Sequence, residues 1–292
     1  MKPARFAYEA PATLEGVLQS LAAAGQGAKL IAGGQSLAPM LNMRLARPDR
    51  LIDINALSDL GEIRRAGDRL ELGALVRHDG LGRSELARQH CPLLARAAAT
   101  IGHYAIRKRG TLGGSLAHAD PAAQLPLVAL ALDAEMEIRS VRGLRSVAAR
   151  DFFLSIFSTV LEPDELLVRV KVPIARAREG WGFRLFNRRA GDFAIVAVAA
   201  TLSRGSDGKI ARLRLAIGGI GPVPVRVEHL VPNPGSEQPS PHWSTQVGQM
   251  VADGVEIEEN DRTPVAFRRE LVAALTREAL DEAMGRAAGA TS

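Results

Sequence analysis

The chain has 292 residues, enough for two domains, and its 47% hydrophobic and 24% charged content is that of a globular protein with its own core. Lys and Arg outnumber Asp and Glu by 37 to 32, but the arginines are scattered and no dense basic run interleaved with aromatics marks a nucleic-acid surface. The single cysteine, Cys91, excludes an internal disulfide, a four-cysteine iron–sulfur cluster and a Cys-x-x-Cys redox pair within this chain.

The start of the chain, Met1-Lys2-Pro3-Ala4-Arg5-Phe6, lacks the apolar stretch of a secretory signal. The longest apolar runs, near residues 125–132 and 194–202, are shorter than the roughly 18 residues of a membrane helix, so a soluble, cytoplasmic protein is expected. Thr13 is placed to cap a helix with Leu14, Val17, Leu18 and Leu21 on one face, stopped by Gly25. Residues 29–32 read as a short buried strand running into Gly33-Gly34, and residues 51–54 as another, with Asp53 capping the loop beyond it. Residues 62–65 and 69–73 flank Ala66-Gly67-Asp68 as a hairpin. A helix is expected over 92–101, with Cys91 as a small apolar residue at its start, and another over 121–133 with Pro121 in its first turn. Residues 135–139 alternate as a strand, and 164–172 form one that ends at Pro173.

The polar stretch 175–180 is the expected domain boundary. Beyond it, residues 182–187, 193–202 and 213–218 read as three antiparallel strands, and 232–241, rich in Pro, Ser and Gly, as an exposed loop. Thr263 and Pro264 are the expected cap and first turn of a long amphipathic helix carrying Phe267, Leu271, Leu275 and Leu280, whose leucine face is core or subunit interface.

Two glycine-rich segments carry the chemistry: Ala32-Gly33-Gly34-Gln35-Ser36 and Thr111-Leu112-Gly113-Gly114-Ser115. Consecutive glycines remove the Cβ atoms that keep backbone away from a ligand and reach positive φ, so neighbouring amides can converge on one anion. Ser36, Thr111 and Ser115 are extra donors, and helix N-termini following such turns would add a positive dipole end. Neither segment fits the P-loop or the Gly-x-Gly-x-x-Gly pattern, so composition alone indicates a phosphate-bearing ligand. His118 and Asp120 have no third partner for a metal, and no metal site is expected; His78 and His103 are expected to be packed or surface residues. Arg107, Lys108 and Arg109 either neutralise a pyrophosphate or form a solvated basic loop.

Both segments, extended to Leu37 with Pro39-Met40 and to the run from Leu116 through His118, Asp120 and Pro121 to Ala123, resemble the paired signature of one family. It is the FAD-binding medium subunit of the molybdenum hydroxylases, the group of bacterial xanthine dehydrogenase and molybdenum-type carbon monoxide dehydrogenase. Residues 51–55, Leu72-Gly73-Ala74 with His78, residues 191–196, 217–222 and 267–271 are similar too, so the likeness covers nearly the whole chain.

The resemblance implies an α+β fold. A vanillyl-alcohol-oxidase-like (PCMH-type) FAD-binding domain would span 1–176 in two lobes, about 1–56 and 57–176. A small C-terminal domain, a three-stranded antiparallel sheet with helices, would span 177–292. It implies FAD contacts from Ala32, Gly33, Gly34, Gln35, Ser36, Leu37, Ala74, His78, Thr111, Gly113, Gly114, Ser115, Ala117, Asp120, Leu167 and Phe193, with no catalytic side chain in this polypeptide. Asp120 would contact the ribityl or adenosine part, and Phe193 would stand near the flavin ring and gate the electron acceptor. Molybdopterin and [2Fe–2S] clusters would belong to a large and a small partner subunit, in a dimer of heterotrimers. The sequence departs from the family's pattern at Gln35, where histidine is common, at Gln124 and at Lys108, and none of these removes a glycine. The expected function is an electron-transfer subunit; a stand-alone flavin oxidase and a non-redox phosphate-binding assembly module are the alternatives.

Overall fold

The computed structural model describes residues 2–232, 235, 239–240 and 242–289. Most of the loop expected over 232–241 lies outside them. Three larger sheets, each with its own helices, and a two-stranded pair, Phe153–Ser155 with Ser158–Thr159, make up the architecture.

The first sheet is three-stranded and parallel, in the order Ala7–Glu9, Arg50–Asp53, Ala28–Ile31. Parallel strands require crossover connections, and the helix Leu14–Ala24 lies in the one that joins the two outer strands. Thr13 caps it as expected, accepting from the Gly16 amide at 3.1 Å, and Gly25 ends it at φ 54°. Val17, Leu18 and Leu21 then bury against Ile52, Ile54 and Leu57.

The second sheet is five-stranded and antiparallel, in the order Ile63–Ala66, Arg69–Gly73, Leu166–Pro173, Glu135–Ser140, Gly143–Ala148. The helices Pro92–Ala99, Leu112–His118 and Gln124–Ala131 cover it and fill the main core. Every residue of Gln124–Ala131 is buried. A helix apolar all round must have neighbours all round, and this one lies between the second sheet and the third. It begins three residues later than the sequence suggests. Asp120 accepts the Ala122 amide at 2.9 Å, and this side-chain turn holds Pro121 outside the helix.

The third sheet is antiparallel and has a short fourth strand beyond the three expected, in the order Glu179–Phe186, Val196–Arg204, Ile210–Gly218, Val225–Arg226. Its residues alternate in destination. Ala197, Ala199 and Ala216 enter the main core, whereas Val196, Val198, Leu215 and Ile217 face the helices Trp243–Gly254 and Val265–Ala287. The last helix lies directly on the sheet. A Cβ at Gly180 would fall 1.8 Å from the Ala283 carbonyl oxygen, and one at Gly182 would fall 1.9 Å from that of Ala279. Its buried face is Arg268, Val272, Leu275, Thr276, Ala279, Leu280, Ala283 and Ala287; Phe267 is exposed and stands edge-on to Phe186. Thr263 is not its cap. Asn260 accepts the Arg262 and Thr263 amides, and Pro264 precedes the first helical residue.

Asp133, at φ 51° after Gln124–Ala131, joins this helix to the third sheet. Its carboxylate takes Arg212 at 3.0 Å, Arg214 at 2.6 Å and Arg226 at 2.5 Å. Among the described residues, no helix is long and apolar enough to cross a membrane.

Candidate FAD site

The first glycine segment follows the end of a strand, as the sequence suggests. Ala28–Ile31 stops, Gly34 turns at φ 68°, and the helix Leu37–Asn42 starts after Ser36. Gln35 folds back to donate from Nε2 to the Gly33 carbonyl at 2.8 Å. The loop's carbonyls are used, with Gly34 accepting from Ala38 at 2.9 Å and Ser36 from Met40 at 3.2 Å. The amide N–H groups of residues 33–37 donate to nothing among the described residues. Backbone donors clustered without acceptors have water or a ligand as partner.

The second segment is built otherwise. No strand runs into it; Thr111 forms a lone bridge with Arg77 and caps the helix Leu112–His118. Leu112 donates to Val76 at 2.9 Å, Gly113 to Ala74 at 2.8 Å, Gly114 to the Thr111 hydroxyl at 3.1 Å and Ser115 to the Thr111 carbonyl at 3.0 Å. These amides are all spent inside the chain, so this segment offers surface rather than a nest of free donors. Its glycines are required by packing. A Cβ at Gly113 would lie 2.5 Å from that of Ala74, and one at Gly114 would lie 2.7 Å from Thr111 Oγ1. Both following helices have seven residues or fewer, so the expected dipole contribution is small.

The two segments touch. A Cβ at Gly33 would fall 2.2 Å from the Arg109 carbonyl oxygen, two residues before Thr111. Asn55 donates to the Ala32 carbonyl at 2.9 Å and accepts from Arg77 Nη2 at 2.6 Å, while Arg77 Nη1 donates to the Arg109 carbonyl. Asp53 orients Asn55 by accepting its amide at 2.8 Å, and Tyr8 donates to Asp53 at 2.8 Å. Burial raises the Asp53 pKa, but the bonds from Asn55 and Tyr8 and the charge of Arg77 outweigh it, and the carboxyl stays below its ordinary range. Asn55, Arg77 and Tyr8 were not singled out from the sequence. Their only signal there is Asp53-x-Asn55 after a strand, an Asx pattern.

His78 is 5% exposed and packs under Gly110, and its Nδ1 has no partner. Burial, with the charges of Arg77 and Arg107, pushes its pKa down to about 4, so the imidazole is neutral. The cations at 107–109 sit on the helix Tyr104–Arg109 and not on a solvated loop. Arg107 donates to the Ile101 and Gly102 carbonyls and Lys108 pairs with Asp79 at 2.8 Å.

The structure thus brings residues 32–37 together with Ala74, His78 and 111–115. Ala117 is exposed on the same helix as Gly114, and Asp120 is half-buried at its far end. Leu167 is 3% exposed inside the main core, beside a bulge whose Val168 carbonyl receives the Ala74 amide. Phe193 is 59% exposed on the loop between the first two strands of the third sheet. That loop reaches this region through Gly191, where a Cβ would be 2.8 Å from His103. No group of three or more metal-ligating side chains occurs among the described residues. Cys91 is buried with its pKa pushed up to about 12, which leaves an inert thiol.

Free amides beside a guanidinium, on backbone stripped of Cβ atoms, fit the diphosphate of FAD. Residues 4–175 match the family model for the FAD binding domain in molybdopterin dehydrogenase, and residues 181–283 match the CO dehydrogenase flavoprotein C-terminal domain. The chain belongs to the FAD-binding medium subunits of the molybdenum hydroxylases. This medium subunit is 36% identical over 286 residues to the nicotine 6-hydroxylase medium subunit of Paenarthrobacter nicotinovorans, covering 98% of this chain and 100% of that one. It is 43% identical over 228 residues to the 6-hydroxypseudooxynicotine dehydrogenase complex subunit alpha of the same organism, 78% and 77% of the two chains. The crystal structure of quinoline 2-oxidoreductase from Pseudomonas putida 86 superposes on all of it with a TM-score of 0.93 at 36% identity. The medium subunit is an oxidoreductase component, and its cofactor is FAD.

Proposed function

We propose that FAD binds across the two glycine segments, with its diphosphate on the free amides of residues 33–37 and the rest running over Gly114, Ser115 and Ala117 toward Asp120 and Phe193. The free amides carry this reading, because they are the unsatisfied donors at the place where both segments meet. In this reading the first sheet and its helix form one lobe, residues 1–56. The second sheet forms the other, 57–176, and 177–292 are the C-terminal domain.

FAD held by the residues of the two glycine segments would supply the redox chemistry, which in this reading is electron transfer between a [2Fe–2S] cluster of a small partner subunit and an external acceptor. The chain's own residues place it. Gly34 makes the turn at positive φ, Gly33 lets the second segment close against the first, and Asn55 and Arg77 hold that spacing. Substrate would be hydroxylated at molybdenum in a separate large subunit, a division of labour supported by the likeness to proteins named as medium subunits and medium chains. The assembly is a dimer of heterotrimers.

Titrating the flavin-free full chain with FAD and following flavin fluorescence tests the site. Saturation at one FAD per chain is expected, and a chain that takes up none would overturn the reading. Co-purification with metal analysis tests the subunit role. Molybdenum and iron are expected to accompany the chain, whereas flavin reduction by small organic substrates without any partner would establish a stand-alone oxidase.

A further inference from the structure

Of the three consecutive cations at 107–109, two are spent on the chain itself, Arg107 on carbonyls and Lys108 on Asp79. Arg109 is different. Its side chain is exposed and has no partner among the described residues, although its backbone carbonyl is engaged. Arg77 donates to its carbonyl, and Gly33 packs against the same oxygen. The root of the side chain is therefore fixed at the mouth of the amide loop while its charged end is free.

We propose that Arg109 contacts the diphosphate of the flavin dinucleotide and that Arg77, braced by Asn55, is the positioning residue that fixes it there. This rests on the FAD reading above and adds the groups that match the ligand's charge. Arg77 cannot swing to a ligand, because its two terminal nitrogens are committed to Asn55 and to the Arg109 carbonyl. Its charge remains. The Arg109 guanidinium opposes it, and after burial this is the largest influence lowering the Arg77 pKa; Asp53 acts in the other direction. Asp53 is itself engaged by Tyr8 and Asn55. The positive surplus also shows at His78, where burial and then Arg77 and Arg107 suppress protonation. Two guanidiniums that repel in the free chain would repel less with a dianion bound nearby, because its charge offsets both. The site so built selects for a diphosphate, and riboflavin, which has no phosphate, would leave both arginines uncompensated.

The test compares the full-length chain with R109Q, R109K and R77K, measuring dissociation constants for FAD and for riboflavin between low and moderate salt. In R109Q, FAD binding is expected to weaken roughly tenfold, the loss of one charged hydrogen bond. Its dependence on salt is expected to flatten, with riboflavin binding unchanged. R109K, which keeps the charge, restores the salt dependence. R77K keeps the charge but loses the two-pronged brace, and it weakens FAD without flattening the salt dependence. Equal FAD affinity and salt dependence in R109Q and the parent chain would overturn the proposal while leaving the FAD reading intact. Equal losses of FAD and riboflavin would overturn it too, by showing that the effect does not pass through phosphate. No FAD uptake by the parent chain would instead sink the FAD reading itself.

Discussion

At the scale of single residues, the glycines divide by what they do. Gly34 is the position where positive φ is required, so a branched side chain there is strained by about 1–3 kcal/mol. Its Cβ would also press on Ile31 at 3.3 Å. Gly34→Val is expected to fold with a lowered melting temperature and to lose its FAD, checked by flavin absorbance per chain. Gly114→Val differs, since its side chain would push into the Thr111 hydroxyl and break a helix cap worth about 1 kcal/mol. Stability and flavin content should then fall together. The pairs of glycines were plain in the sequence. Their division into one that opens amides and one that permits packing was not, because it depends on where Arg109 and Ala74 come to lie. His78 gives a pH test at this scale. Its pKa falls from an ordinary 6.5 to about 4 on folding, so the unfolded chain takes up the proton first. Stability contributed by the neutral ring is full above pH 6.5 and is lost as pH falls toward 4. His78→Gln should flatten that part of a pH–stability curve.

At the scale of elements, most longer helices were legible and the short ones were not. Trp243–Gly254, twelve residues long, is the exception, with too few large apolar residues on its buried face to stand out. Leu14–Ala24 has its cap, apolar face and glycine stop in plain view. Leu37–Asn42, His78–Arg83 and Tyr104–Arg109 have six residues each, too few for a pattern, and are held by tertiary contacts. The strand Gly143–Ala148 was also missed, because it is a largely exposed edge with no buried alternate positions. The final helix was found, with Leu275 and Leu280 buried and Leu271 against the core as expected, but Phe267 is exposed and the alanines that let the helix approach the sheet do not stand out beside the leucines. Two glycines test that approach. Gly182→Ala would place a methyl group 1.9 Å from the Ala279 carbonyl and force helix and sheet apart, at a cost of about 3 kcal/mol. Gly285→Ala, on the same helix with nothing within 4 Å, should be neutral or stabilise by up to about 1 kcal/mol. Thermal melts of the two variants should move in different directions.

At the scale of the whole molecule, the third sheet is fastened to the rest by the main core and by Asp133. Burial raises the Asp133 pKa, but the bond from Arg214 and the charges of Arg214, Arg226 and Arg212 outweigh it and leave it lowered. A depressed carboxylate stabilises above its unfolded pKa near 3.8 and loses that contribution as pH falls through its folded value. Asp133→Asn should cost about 1–2 kcal/mol at neutral pH, with the charge-assisted bonds of a partly exposed site. The deficit should shrink in acid, as read from chemical denaturation at several pH values. The place where Gly33 meets Arg109 has a consequence of another kind. The two segments flank different core clusters, which the strand Leu166–Pro173 already links, and a ligand held by both segments is a further fastener between them. Flavin supply then sets how long the polypeptide survives: at a hundredfold excess over its dissociation constant, mass action alone adds about 2.7 kcal/mol. The flavin-free chain is therefore expected to be cleaved by protease faster than the flavin-loaded one.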